Sequence, residues 1–346
     1  MQYLYILTST PRDFYYEQFL LSATSLKLKM PNGQITLLCD SNTKKSLTDS
    51  RSGHEKIVSQ TITTETPGNL SQVEVSRWLK TSMRRFVQGD FLFIDCDTII
   101  TEDLSSIENI DRNTEQRIKF GACLDKHSPI GCHNNKDFII KNDKQLNLSS
   151  YKSNKHYNSG VIYCADSLET HKIFDRWHEL WLYSKSKNIT RDQPAFNNAI
   201  YENQSYFTEL DGVWNCQIAY NGLPYLLESK IIHYFATDHI FVESPFLFAY
   251  EGFLKQIKET GNIPTEIFKL LENPRSAFTE HSQIIAGDDM LYVVNSNFFQ
   301  FIFLLKKKCP LLFNFFNSVC SLLKIMTKNI FIMIQRRKKR EINLYG

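Results

Sequence analysis

Two aspartates one residue apart, Asp95 and Asp97, stand where a run of four apolar residues, Phe91-Leu-Phe-Ile94, ends. A run of that length suits a buried strand, and residues i and i+2 of a strand point the same way. Two carboxylates aimed together from a strand end can share a hard divalent cation such as Mn2+ or Mg2+. A cation there stabilises negative charge as it develops on a leaving diphosphate. Asp-x-Asp is also an ordinary solvated turn, so its place after a buried strand and before Thr98-Ile-Ile-Thr-Glu-Asp-Leu104 is what favours the chemical reading. Upstream, Arg77, Lys80 and Arg84 fall at i, i+3 and i+7 of a helical stretch whose other side carries Trp78, Leu79 and Met83. They are either a solvated face or cations set to meet phosphate. Asp192 and Gln193 precede Pro194 at a helix start, where Asp192 also suits a capping role. His233, beside Tyr234 and Phe235, reads on its own as a core or edge histidine, with His239 as a neighbouring competitor for any ligand role.

These residues need elements to hold them. Tyr3 to Thr8 is a short apolar run of strand length, and Phe14, Phe19, Leu20, Ala23, Leu26 and Leu28 recur at helical spacing up to Pro31-Asn32-Gly33. Gln34 to Asp40 is a second buried strand ending in a carboxylate, so the chain begins as strand, helix, strand. Residues 41–54 read as a loop or short helix, 56–63 as a strand, and Val75, Trp78, Leu79, Met83, Phe86 and Val87 as an amphipathic helix stopped by Gly89. Residues 119–125, 160–164 and 230–235 are further strands, the last closing the core, while 168–184 and 191–201 are helices. The polar stretch 126–157 is long enough to be a functional loop. This alternation predicts an α/β domain with a mostly parallel sheet, whose ligands bind beyond the carboxyl ends of the strands. Thr8 and Ser9, ending the first strand, and Asp40, ending the second, are placed to meet a base or ribose.

In order, several segments resemble the GT-A nucleotide-diphospho-sugar transferases, nearest to glycosyltransferase family 8. They are Ser76 to Arg85 with Gly89 to Thr98, then Phe120 to Asp125, His156 to Tyr163, Arg191 to Asn197, Asp211 to Gln217 and Ile231-Ile-His-Tyr-Phe235. The resemblance spans about residues 1–240. It implies a Rossmann-like GT-A fold, a mostly parallel mixed sheet flanked by helices. It makes Asp95, Asp97 and His233 the metal ligands for Mn2+ or Mg2+, and Asp192 and Gln193 the catalytic pair facing the donor sugar. Thr8, Ser9, Asp40, Arg77, Lys80, Asp95, Cys96, Asn158, Ser159 and Gly160 would bind the nucleotide or sugar, Gly160 by letting backbone approach the ligand closely. After His233 the chain reads Tyr-Phe-Ala-Thr-Asp238, where bacterial members commonly have Gly and then Lys-Pro-Trp. The family implies retention of configuration; an inverting enzyme would need a general base, for which Asp192 is the candidate.

The charge is unevenly distributed. Residues 296–346 carry ten Lys/Arg against Glu341 alone, or +9, so the formal +3 of the whole leaves −6 on residues 1–295. A mildly acidic body does not suit nucleic acid, whereas the tail, with basic residues bracketing apolar blocks of 5 to 15 residues, suits helices lying on an anionic membrane. Its longest charge-free stretch after Lys308 is 309–323, shorter than the ~20 residues of a spanning helix. Eight scattered cysteines without a Cys-x-x-Cys pair fit a reducing compartment, and the N-terminus has no secretion-signal pattern. The expected organisation is a GT-A catalytic domain at 1–245, a helical or irregular extension packed on it at 246–295, and a C-terminal membrane-associating tail at 296–346. The expected activity is transfer from a nucleotide sugar, a UDP-sugar foremost, to a glycan or lipid-linked glycan acceptor of polysaccharide biosynthesis. Its expected place is peripheral, at the cytoplasmic face of a bacterial membrane. A nucleotidyltransferase, which would need a Gly-rich basic loop where Thr8-Ser-Thr-Pro-Arg-Asp-Phe14 stands, and a non-catalytic membrane-bound glycan-binding or scaffold protein are the alternatives.

Overall fold

The structure, a computed structural model, describes residues 1–109, 118–133, 136–235, 247–278, 296–321 and 323. The chain divides into two compact units, Met1–Thr279 and Glu280–Gly346.

In the first unit, β1 (Gln2–Leu7), α1 (Tyr15–Lys29), β2 (Gln34–Asp40), α2 (Ser41–Ser46) and β3 (Gln60–Thr64) are followed by α3 (Gln72–Ser82), β4 (Phe91–Ile94) and β5 (Thr98–Ile100). Then come β6 (Phe120–Leu124), α4 (Lys136–Gln145), β7 (Tyr157–Cys164), α5 (Leu168–Ser186), α6 (Gln193–Glu202), β8 (Phe207–Leu210), β9 (Cys216–Gln217) and β10 (Ile231–His233). Two helices, α7 (Glu251–Thr260) and α8 (Thr265–Glu272), complete it. Seven strands form one sheet in the order β3-β2-β1-β4-β7-β6-β8. Only β7 runs against its neighbours, antiparallel to both β4 and β6. The α/β expectation of a mostly parallel, mixed sheet flanked by helices is met.

Strand alternation divides the core. Tyr3, Tyr5, Leu7, Leu92 and Ile94 face α1, whereas Leu4, Ile6, Phe91 and Phe93 face the side built from α3, α5 and α6 with Trp177 and Trp181. Both faces of the sheet are therefore covered, which is why its central strands read as unbroken apolar runs. Leu254, Ile257, Ile267 and Leu271 of α7 and α8 are buried in the same cluster as Phe19 and Leu26 of α1.

Three details depart from expectation. The strand predicted at 56–63 occupies 60–64, because Gly53–Lys56 forms a 3-10 turn that buries His54 edge-on to Tyr16. The stretch 126–157 contains α4. The segment around His233 does not extend the main sheet: β10 lies in a second, three-stranded sheet, β5-β10-β9. Its antiparallel register sets His233 opposite Thr98, one residue beyond Asp97, and Tyr234 N–H donates to the Asp97 carbonyl at 3.1 Å.

In the second unit, α9 (Asn297–Lys308) is capped by Ser296, whose hydroxyl accepts from Phe299 N–H, and α10 covers residues 310–321. Phe298, Phe301 and Leu304, then Leu311, Leu312, Phe315 and Phe316, are exposed. Among the described residues, no helix is long and apolar enough to cross a membrane.

Candidate active site

A cavity of about 530 Å³ opens beyond the carboxyl ends of β1 and β4. Its floor is Asp95-Cys96-Asp97, where the chain leaves β4 for β5. Across from it, β7 supplies Asn158, Ser159 and Gly160, since Asp95 N–H donates to the Gly160 carbonyl at 2.8 Å and Ile94 pairs with Val161. The small sheet supplies His233. One wall is α3, started two residues before Glu74 by a reciprocal Ser71–Glu74 capping box; the other is the start of α6.

Asp95, Asp97 and His233 each offer a ligand atom, and these atoms lie within 4.8 Å of one another. His233 Nε2 is 3.2 Å from Asp97 Oδ1. Lys80 Nζ lies 3.1 Å from both oxygens of Asp95, so a cation already sits against this carboxylate. Burial pushes the Asp95 carboxyl above its ordinary value, against the pull of Lys80 and with the push of Asp97. Burial acts on Asp97 too, but His233, by charge and by hydrogen bond, outweighs it, and the shift is downward. Two carboxylates and an imidazole suit a divalent cation.

The Asp192 side chain caps nothing, although it sits at the N-cap of α6. It turns to the cavity, where Oδ1 is 3.1 Å from Arg77 Nε and Oδ2 accepts from Ser159 at 3.2 Å. Burial opposes its ionisation, yet Arg77 and Lys80 hold the pKa below the usual carboxylate value. Ser159 also reaches the Gln193 amide oxygen at 3.3 Å, and the Gln193 amide nitrogen donates to the Tyr157 carbonyl. The pair is thus tied to β7 from both sides.

The structure therefore brings Thr8, Arg77, Lys80, Asp95, Cys96, Asp97, Asn158, Ser159, Gly160, Asp192, Gln193 and His233 around one cavity. Ser9 and Asp40 do not line it. Ser9 is consumed by the turn after β1, its N–H on Thr43 and its hydroxyl on Asp13 at 2.7 Å, while Asp40 caps α2 by accepting from Asn42 N–H. Arg84, predicted on the Arg77 face, points into the core, where it donates to the Gly89 and Val87 carbonyls and meets Asp166 at 3.3 Å. Chain geometry changes at Ser82, where α3 gives way to a 3-10 turn. Gly160 lines the cavity, and a Cβ there would lie 2.5 Å from His233 Cε1, so its bareness also makes room for the imidazole.

Sequence reasoning missed Gln72, Val73 and Ser76, which join Arg77 and Lys80 along the cavity. The i, i+4, i+8 spacing of Gln72, Ser76 and Lys80 was the available signal. It also missed the roles of Phe235, at φ 51°, whose ring stacks on His233 at 3.9 Å and 12°, and of Asn215, although the segments that hold both residues carried the resemblance.

Compared with known proteins, residues 45–238, more than half of the chain, match the family model described as "Glycosyl transferase family 8". No curated protein matches the sequence. Among solved structures, the chain is similar to mouse xyloside xylosyltransferase 1 in its apo form, with 12% identity, coverage of 67% of this chain and 97% of that one, and a TM-score of 0.44. It is also similar to the galactosyltransferase LgtC in complex with donor and acceptor sugar analogs, at 13% identity, 78% and 99% coverage and TM-score 0.46. A third is the glycosyltransferase GlyE of Streptococcus pneumoniae TIGR4, at 15% identity, 80% and 65% coverage and TM-score 0.45.

Proposed function

The chain belongs to glycosyl transferase family 8 and is a glycosyltransferase using a nucleotide-sugar donor, and from that premise we propose a metal-dependent transfer centred on Asp95, Asp97 and His233. The observation that carries the proposal is the convergence of these three ligands from two different sheets on one point, with Lys80 already holding a positive charge there. Bound Mn2+ or Mg2+ would supply Lewis-acid stabilisation of the departing diphosphate. Arg77 and Lys80 add fixed positive charge on the same wall, where phosphate oxygens compete with Asp192 and Asp95 for them. Asp192, Ser159 and Gln193 orient the sugar, their mutual hydrogen bonds fixing each rotamer before the donor arrives.

Retention of anomeric configuration is favoured. An inverting reaction would need a base poised near neutrality, and Asp192, ion-paired to Arg77 with a depressed pKa, is poorly suited to take a proton. A UDP-sugar is the proposed donor. A glycan acceptor, lipid-linked and met at the cytoplasmic face of a membrane, is supported by the basic, aromatic composition of residues 296–346. The proposed organisation remains a catalytic domain at 1–245, an extension at 246–295 and a membrane-associating tail at 296–346.

The test is sugar release and transfer from a panel of nucleotide sugars with and without Mn2+. Asp97→Asn is expected to lower the rate by about 100-fold or more. Equal rates in chelator, or a wild-type rate for Asp97→Asn, would refute the metal-dependent reading.

A further inference from the structure

His233 can serve a metal only through a nitrogen that carries no proton, so what decides its tautomer decides whether the site works. Nε2 faces Asp97, and Nδ1 lies 3.1 Å from the side-chain oxygen of Asn215, a fully buried residue. An amide can be turned end for end, so this contact alone does not say which partner donates. The next bonds do. Asn215 Nδ2 is 2.9 Å from Asn158 Oδ1. That same Oδ1 receives the backbone N–H of Gly160 at 2.9 Å. A backbone N–H can only donate, so the Asn158 atom it meets is the oxygen. At the other end, Asn158 Nδ2 lies 3.0 Å from a carboxylate oxygen of Asp125, which can only accept. Both ends of Asn158 thus fix the same orientation independently.

With Asn158 fixed, the Asn215 atom facing it is the donating nitrogen, and its oxygen must face His233. Nδ1 therefore carries a proton, and Nε2, 3.2 Å from Asp97 Oδ1, is the nitrogen that addresses the metal position, where a cation would displace the proton it shares with Asp97. We infer that Asn215 is a positioning residue that sets the tautomer and plane of His233, in a one-way chain of hydrogen bonds running from His233 through Asn215 and Asn158 to Asp125. The inference rests on the metal reading of Asp95, Asp97 and His233 and deepens it. Two further contacts hold the ring plane: Phe235 stacks on one face, and Gly160 leaves room beside it. The chain also ties the metal site to the sugar side of the cavity. Asn158, with its oxygen taken twice and one N–H given to Asp125, keeps a single N–H for a ligand.

The direct test leaves Asn215, Asn158 and Asp125 in place and uses a substitution only to assign the resonance. In 15N-histidine-labelled, metal-free protein, the ring missing from the spectrum of His233→Gln is expected to show a protonated Nδ1. A bare Nδ1 would overturn the inference. Calorimetric Mn2+ titration provides the second arm. Asn215→Leu should weaken Mn2+ by about 10–100-fold. Asn215→Asp, which still accepts from Nδ1 but cannot donate to Asn158, should restore Mn2+ affinity while leaving nucleotide-sugar affinity reduced. Wild-type Mn2+ affinity in a folded Asn215→Leu would overturn the positioning role and leave the metal reading intact. Wild-type protein that binds no Mn2+, or whose binding survives Asp97→Asn, would instead remove the metal reading and this inference with it.

Discussion

Lys80 Nζ sits 3.1 Å from each oxygen of Asp95, bridging the carboxylate symmetrically from a side chain that is itself 4% exposed. In metal-free protein this lysine neutralises a carboxylate that Asp97 repels. Removing it leaves two recessed acids without that counter-charge, so Lys80→Met should lose about 1–3 kcal/mol of stability in chelator. A divalent cation would then relieve more repulsion than it does in the wild type. The Tm gain on adding Mn2+ is therefore expected to be larger for Lys80→Met than for wild type, although transfer falls with the lost phosphate partner. Equal Tm gains would show that Lys80 and the cation do not share Asp95.

Gly160→Ala tests the packing of the same centre. The added carbon would lie 2.5 Å from His233 Cε1 and 2.8 Å from Asn158 Oδ1, well inside van der Waals contact. Neither atom is the free end of a flexible chain, because both are held by hydrogen bonds. The substitution should displace the imidazole and reduce Mn2+ affinity by about 10–100-fold, a cost of the size seen when partners of metal ligands are lost. Titration calorimetry reads the affinity, and an unchanged value would mean that His233 can move without consequence.

Much of this centre could be read before any coordinates. Asp95 and Asp97 were visible because a buried strand that ends in two acids conflicts with simple burial. Arg77 and Lys80 were visible as helix positions, but not their engagement: their partners, Asp192 and Asp95, are 115 and 15 residues away in sequence. The reversed direction of β7 left no local trace, since an apolar strand has the same pattern either way. For the same reason β10 read as another core strand, and only its pairing with β5 placed it elsewhere. The role of Asn215 was not legible, although its segment carried the resemblance, because a buried amide is significant only through partners 57 and 18 residues distant. Ser9 and Asp40 stand outside the cavity lining because a strand-end position does not by itself give exposure to it, and local turn and capping bonds engage both.

Acid should weaken the fold through its histidines. Burial pushes His127, His156 and His178 down to about 4 from the ordinary 6.5. Between those values the unfolded chain takes up protons that the folded chain refuses, so stability is lost as pH falls from 6.5 toward 4. Asp143 works in the other direction. Burial raises it to about 6, so it keeps a proton that the unfolded chain releases, and it lies 4.0 Å from His156, whose effect it offsets. For His178, burial and Arg85 outweigh the upward pull of the Asp175 carboxylate; its Nδ1 meets Thr81 Oγ1 at 2.7 Å beside the rings of Trp78 and Trp181. The wild-type Tm should fall between pH 6.5 and 5, and His178→Gln should fall less steeply over that interval. Parallel Tm profiles would contradict the assignment.

The tail can be tested apart from the chemistry. Phe298, Phe301 and Leu304 of α9 recur every three residues, and Leu311, Leu312, Phe315, Phe316 and Val319 of α10 follow an i, i+1, i+4, i+5, i+8 pattern; all are exposed. Each pattern places its apolar side chains on one side of a helix. Lys306, Lys307 and Lys308 lie between the two sets, and each basic residue near an anionic surface contributes about 1 kcal/mol. The 346-residue chain is therefore expected to sediment with vesicles containing phosphatidylglycerol, and much less with phosphatidylcholine alone. Raising salt should weaken the binding without abolishing it, since the aromatic side chains remain. Truncation after residue 295 should leave the protein in the supernatant with donor hydrolysis retained. Co-sedimentation of the truncated protein at the level of the 346-residue chain would show that residues 296–346 do not carry membrane attachment.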